Sequence, residues 1–168
     1  MKNESNAVRS VSVTWHDPRQ LAEAARSMPG IDFLRAIRDG KLPPPPITQL
    51  MGFRLTEVEP GHAVFEITPG EQHYNPIGVV HGGVAMTLLD SAMGVCIHTK
   101  LPAGTGYTTL EAKTNLVRAI TDKTGKLRAI GKVIHLGNRV ATAEGRLEDA
   151  AGKLYAHATT TCIVLNGG

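Results

Sequence analysis

Residues 75–95 read NPIGVVHGGVAMTLLDSAMGV. The run is apolar enough for a buried helix, yet it opens on His81, Gly82 and Gly83 and carries Asp90 near its middle. Taking an ionised carboxylate out of water is costly unless something compensates it, so Asp90 needs a partner, a proton or a chemical task. The task open to a carboxylate is attack on an electrophilic carbon or withdrawal of a proton from water. The structural alternative is a hydrogen bond to Ser91 or to a strand hydroxyl. Gly82 and Gly83, lacking Cβ, give a tight start to a helix. His81 stands at that start, as a general base, as an orienter of the loop at Asn75, or as a plain structural histidine.

The elements that hold these residues follow from the surrounding pattern. A helix from about His81 to Thr99 is apolar on nearly every side, so it must be covered all round. Beyond it the period changes to two. In RVATAEGRLED, Ala141, Ala143, Gly145 and Leu147 form one small apolar face; in LYAHATTTCIV, Leu154, Ala156, Ala158, Thr160, Cys162 and Val164 do the same. Turn-forming residues at 122–125, 137–138 and 149–152 divide this part into four strands, expected as a meander. Before the helix, ITQLMGFRLTEVEPGHAVFEITP reads as two strands joined at Glu59-Pro60-Gly61. The fold class is therefore α+β: one curved antiparallel sheet, its inner face lined by Ala and Gly, wrapped around a long central helix.

Residues 1–16 are polar and expected to be loose. From Asp17 to about Arg38 the apolar residues recur near helical spacing, and Met28-Pro29-Gly30 interrupts them, giving two short helices on an outer surface. KLPPPPI, residues 41–47, is a stiff extended connector. The expected division is an N-terminal helical extension with its proline-rich connector over 1–46 and the sheet-and-helix domain over 47–168.

Composition narrows the function classes. A chain of 168 residues with 42% hydrophobic content supports one well-buried domain. The net charge is +3, with ten basic and five acidic residues from Lys100 onward, a mild bias. Aromatic residues make up 4%, too few for base-stacking platforms, so no nucleic-acid partner is expected. Cys96 and Cys162 lie in apolar runs without CxxC spacing and read as buried thiols in a reducing compartment. The first 18 residues hold no continuous apolar stretch and 84–97 is too short to span a bilayer, so a cytoplasmic protein without a membrane partner is expected. His16, His62, His73, His98, His135 and His157 show no metal-ligand spacing, and no metal or separate cofactor is expected.

The ordered set Asn75, five residues, His81-Gly82-Gly83, six residues, Asp90, followed by TTLEAKTNLVR at 108–118, resembles the PaaI-like hotdog-fold acyl-CoA thioesterases over roughly residues 47–165. The first 40 residues fall outside the resemblance, and Ala119 follows Arg118 where many relatives carry proline. The resemblance implies that the Gly82 amide, at a helix N-terminus where unpaired N–H groups and the dipole favour negative charge, stabilises the oxyanion of a thioester carbonyl. It implies that Asp90 is the base or nucleophile, that Asn75 and His81 shape the carbonyl site, and that Thr108 or Thr109 orients Asp90 or the water, with Thr108 preferred on spacing. Gly83 leaves room for the acyl group. Arg118 and Arg139, with Lys113 behind them, are the residues expected to meet the phosphates of CoA.

Gly82 and Asp90 are eight residues apart, about 12 Å along a helix axis. One carbonyl cannot reach both in a single chain, so the expected unit is a homodimer with shared sites, which the resemblance also implies, often doubled to a tetramer. The expected substrates are aryl- or medium-chain acyl-CoA. The competing readings are a hotdog dehydratase or hydratase, in which His81 moves protons on carbon, and a non-catalytic acyl-CoA-binding protein.

Overall fold

The computed structural model describes residues 7–166. The expectation of a loose start falls partly on residues 1–6, which lie outside the described residues. Residues 7–17 form neither helix nor strand, and Arg9 pairs with Glu71.

Helix α1 (Pro18–Ser27) begins where Asp17 accepts the Arg19 N–H at 3.0 Å, with Pro18 in its first turn. Helix α2 (Gly30–Arg38) follows after Pro29. These are the two short helices that the spacing predicts. Residues 47–51, expected as the start of a strand, form instead a third short helix, α3 (Pro46–Met51), which also takes up Pro46 and Ile47 from the end of the expected extended connector. Pro46 presets the first turn, Thr48 Oγ1 donates to Pro45 O at 2.7 Å, and Gly52 ends the helix at φ 69°. The hairpin thus starts later, as β1 (Phe53–Glu59) and β2 (His62–Ile67), turning through Gly61 at φ 78°. Helix α4 (Gly82–His98) then leads to β3 (Thr105–Leu116), β4 (Leu127–Leu136), β5 (Val140–Asp149) and β6 (Leu154–Asn166).

The six strands form one sheet in the order β1-β2-β4-β5-β6-β3, every neighbouring pair antiparallel. The four-strand meander therefore needs correction. β4, β5 and β6 follow one another, but β3 pairs with β6 and lies at the sheet edge. The segment 117–126 is not a hairpin turn. It crosses the N-terminal end of α4, where Ile120 O accepts the Val80 N–H at 2.9 Å, and delivers β4 beside β2.

Small residues let the sheet close on the helix. Ala129, Ala141, Ala143, Ala156 and Cys162 line its inner face, and Leu88, Leu89, Ala92, Met93, Cys96 and Ile97 of α4 are fully buried against it. At Gly131 the contact is backbone to backbone: a Cβ there would lie 2.1 Å from Ala92 O. The helix is not covered all round, however. Asp90 is exposed and Met86 is 46% exposed, so the flank beside β3 stays open in a single chain.

The C-terminal end of α4 is covered by the N-terminal helices, whose Leu21, Phe33 and Leu34 form a second apolar cluster with Val58 of β1. Gly30 N–H donates to Leu101 O at 3.0 Å and ties α2 to the end of α4. His98 lies between the rings of Phe33 and Tyr107, each centroid 5.6 Å away, and burial there pulls its pKa below the usual histidine value.

Two outcomes follow. Gly131→Val should cost about 3 kcal/mol or more in urea unfolding, because the clash is with backbone that has nowhere to go. The unfolded chain protonates His98 near the usual value of about 6.5 more readily than the folded chain, so its contribution to stability is present above that pH and lost as pH falls. Melting temperature measured from neutral to mildly acidic pH should drop less steeply in His98→Gln than in the parent protein.

Candidate active site

The loop before α4 is held by its own polar groups. Asn75 Oδ1 accepts the N–H groups of Ile77 at 3.1 Å and Val79 at 3.3 Å, and its backbone N–H donates to Val79 O at 2.8 Å. The Asn75 carbonyl oxygen therefore shapes the turn and does not cap the helix. The cap is His81. Its Nδ1 accepts the Gly83 N–H at 2.9 Å, which requires an unprotonated Nδ1, while its backbone N–H donates to His73 O at 2.8 Å. The histidine thus bonds its own helix rather than the Asn75 side chain. A Cβ on Gly83 would lie 2.9 Å from that imidazole nitrogen.

Gly82, between the capping histidine and the capped amide, has an N–H with no acceptor among the described residues. It opens on a cavity of about 310 Å³ lined by Asn75, His81, Gly82, Leu116 and Arg118 among others. A Cβ on Gly82 would lie 2.5 Å from Leu116 Cδ1, a movable side-chain end, so a larger residue fills this space more than it breaks the fold. The cavity therefore offers a free N–H donor at the positive end of a 17-residue helix.

Asp90 belongs to a different cavity, of about 300 Å³, with Met86, Thr87, Ala112 and Thr114. Thr109 Oγ1 donates to Asp90 Oδ1 at 2.9 Å. Thr109, not the preferred Thr108, is thus the hydroxyl that holds the carboxylate. The register gives the reason: Thr109 pairs with Cys162, which faces inward, whereas Thr108 is exposed on the other face. Cys162 Sγ lies 3.9 Å from the same hydroxyl, a neighbour that the period-two face of β6 announced but that could not be matched to Thr109 without the register. Asp90 is neither deeply buried nor bonded to Ser91; its partner is a strand hydroxyl, and the outer face of the carboxylate stays open.

Of the basic residues, Arg118 enters the Gly82 cavity. Its Nε donates to Leu154 O at 3.2 Å and its guanidinium carbon lies 6.0 Å from the centre of the Tyr155 ring. Arg139 does not join it within one chain. Its carbonyl accepts the Val164 N–H at 2.9 Å, at the Tyr107 end of β3, about 30 Å along the strand from Leu116. Lys113 is exposed on β3. Among the described residues no group of three His, Cys, Asp or Glu side chains is placed to hold a metal ion.

One chain therefore carries two half-sites: a free amide with a nearby guanidinium, and a braced carboxylate about 12 Å further along the same helix. The model of the thioesterase superfamily matches residues 77–156, which include Gly82, Asp90, Thr109 and Arg118. A protein of Archaeoglobus fulgidus named as an esterase is 30% identical over 120 residues, 70% of this chain and 74% of that one. The 1,4-dihydroxy-2-naphthoyl-CoA hydrolase of Listeria monocytogenes is 25% identical over 118 residues, 70% of this chain and 94% of that one. A solved structure of a phenylacetic acid degradation-related thioesterase from Ralstonia eutropha is similar with TM-score 0.70 and 26% identity, over 77% of this chain and 98% of that one. The chain belongs to the thioesterase superfamily and is a thioester hydrolase of the hotdog fold, with a PaaI-like arrangement of its central helix and sheet.

Proposed function

We propose that the protein hydrolyses acyl-CoA thioesters with an aryl or medium-chain acyl group, Asp90 of one copy acting against the Gly82 amide of a second. The observation that carries this reading is the Asp90 carboxylate itself, fixed through one oxygen by Thr109 at 2.9 Å and open through the other, on the exposed flank of α4. That flank borders β3, a 12-residue edge strand with unpaired backbone groups and with Leu110 59% and Leu116 49% exposed. Such an edge is suited to pairing with its own copy across a twofold axis, which covers the open flank and brings each Asp90 toward the other copy's helix start.

In the shared site the thioester carbonyl accepts the Gly82 N–H, so charge developing on oxygen meets a donor fixed by the helix and by the His81 cap. Asp90 withdraws a proton from an attacking water or attacks the carbonyl carbon directly; the tetrahedral species collapses and the C–S bond breaks. The thiolate leaves without strong acid assistance, since a thiol titrates near 8.5 on the cysteine scale. Asn75 and His81 hold the carbonyl side, Thr109 holds the carboxylate, and Gly83 keeps the acyl side clear. Arg118 meets the phosphates of CoA, with Arg139 reaching them only from another chain. The Listeria relative, named as a CoA hydrolase, supports CoA as the leaving group. The buried free thiols Cys96 and Cys162, the first pushed up to about 12 by burial, support a reducing, cytoplasmic setting. Ile134, 60% exposed, and Val140, 42% exposed, offer apolar surface for doubling a dimer to a tetramer.

Thiol release from a panel of acyl-CoA esters tests the reading. Asp90→Asn should lower kcat by about 10²- to 10⁴-fold with acyl-CoA binding retained; full activity in that variant would make Asp90 a structural residue. His81→Ala should lose the helix cap, about 1 kcal/mol of stability, and a smaller part of the rate. Sharing is tested by mixing: Asp90→Asn and Gly82→Val chains, each nearly inactive alone, should recover roughly a quarter of the parental activity after co-refolding, because half the dimers then hold one intact site. No recovery would place both groups in one chain's site.

A further inference from the structure

A third cavity, of about 530 Å³, lies under the N-terminal helices at the C-terminal end of α4. Its walls are Leu21 and Ala25 of α1, Phe33 and Ile37 of α2, and Val95 and Tyr107 of the sheet-and-helix body. The size falls within the range of about 300–1,000 Å³ usual for small-molecule sites. Its rim carries two guanidinium groups, and both are paired: Arg38 with Asp39 at 2.8 Å and Arg54 with Glu66 at 3.3 Å. His98, in the wall, is biased toward its neutral form by burial. The interior thus offers apolar surface and no uncompensated charge, which suits hydrocarbon and not an anionic group.

Its position ties it to the site already described. Thr87, Asp90, Gly94 and His98 follow one another at helical spacing along one stripe of α4, and the inward residues of β3 run beside them. Thr109 meets Asp90; one turn on, Tyr107 covers Gly94 so closely that a Cβ there would lie 2.6 Å from the phenol oxygen; beyond it the same ring is 5.6 Å from His98. Tyr107 is therefore the wall between Asp90 and the cavity, whose α4 residues Val95 and His98 lie about 7.5 and about 12 Å past Asp90 along the helix. A chain from Asp90 enters it as the Tyr107 ring turns off Gly94. The walls from α1 and α2 lie outside the residues 77–156 that match the family.

We infer that this cavity receives the distal carbons of an unbranched acyl chain whose thioester lies at Asp90, and that α1 and α2 set the chain length the enzyme prefers. The inference rests on the thioesterase reading for what enters the cavity. It deepens that reading from aryl or medium-chain acyl groups to chains long enough to pass Tyr107, and it gives the N-terminal extension a role.

The test compares kcat/KM for acetyl-, butanoyl-, hexanoyl- and decanoyl-CoA and measures decanoate binding by calorimetry, in the full-length protein and in Ala25→Trp and Ile37→Trp. The parent protein should prefer decanoyl- over butanoyl-CoA by about tenfold or more, and each variant, from a different helix, should lower that ratio and weaken decanoate binding about tenfold. A flat length profile in the parent protein overturns the inference while leaving the thioesterase reading intact, as does an unchanged ratio in both variants with parental circular dichroism. Decanoate binding that Ala25→Trp weakens, without thiol release from any ester, keeps the cavity and removes the thioesterase reading.

Discussion

A rise of eight positions along a rigid helix separates the Gly82 amide from the Asp90 carboxylate, and the proposed mechanism depends on that fixed separation. Between them lie Leu88 and Leu89, both fully buried against the sheet, so neither end can approach the other without emptying the core. Leu→Ala changes in such positions typically cost about 2–5 kcal/mol, which measures how firmly the helix is held. In the proposed mechanism the donor and the carboxylate on one carbonyl therefore come from two helices. The open flank of α4 and the unpaired edge of β3 lie side by side, so in the proposed dimer one association would both cover the apolar edge and complete the site.

The sheet is built around this requirement. Ala and Gly on the inner face bring β4 and β5 into contact with the helix, and Gly131 allows the approach of Ala92 O that no other residue would permit. Larger side chains would push the sheet outward and loosen the support under Asp90. At the helix start, the crossing segment 117–126 both carries β4 to its place and brings Arg118 into the Gly82 cavity. One connection thus serves topology and charge placement at once.

Much of this was legible in the residues. The apolar helix, the small-residue faces of β5 and β6, the interruption between α1 and α2 and the ordered Asn-His-Gly-Gly-Asp spacing are local patterns, and local patterns report helix, strand and turn directly. What failed was non-local. Whether β3 lies beside β4 or β6 depends on where a ten-residue segment goes, and nothing in that segment's composition states it. The short helix α3 was hidden because Ile47, Leu50 and Met51 suit a strand as well as a helix, while Pro46 and Gly52 decide the matter by fixing its ends. For His81 the residue types left a general base, an orienter of the Asn75 loop and a structural histidine open, and the nearby Gly83 N–H makes it the helix cap. The packing of Tyr107 and His98 is not legible locally because it depends on Phe33, contributed by a helix more than sixty residues away.

The choice between Thr108 and Thr109 has a more particular cause. Along β3 the inward residues are Tyr107 and Thr109, paired with Val164 and Cys162, and then Ala112, Thr114 and Leu116, paired with Thr160, Ala158 and Ala156. The inward positions change from odd to even because a bulge inserts Leu110 between Thr109 and Glu111. No strict alternation can be read across such a strand, so spacing alone does not separate Thr109 from Thr108. The bulge itself is stabilised from inside: Thr160, 2% exposed, donates its hydroxyl to Glu111 O at 2.6 Å. That bond satisfies a buried hydroxyl on an otherwise apolar face and the carbonyl that the bulge displaces. Both halves of the proposed site depend on this arrangement. Before the bulge, odd parity presents Thr109 to Asp90; after it, even parity presents Leu116 to Gly82, so a strand without the extra residue could satisfy one contact only by turning the other outward.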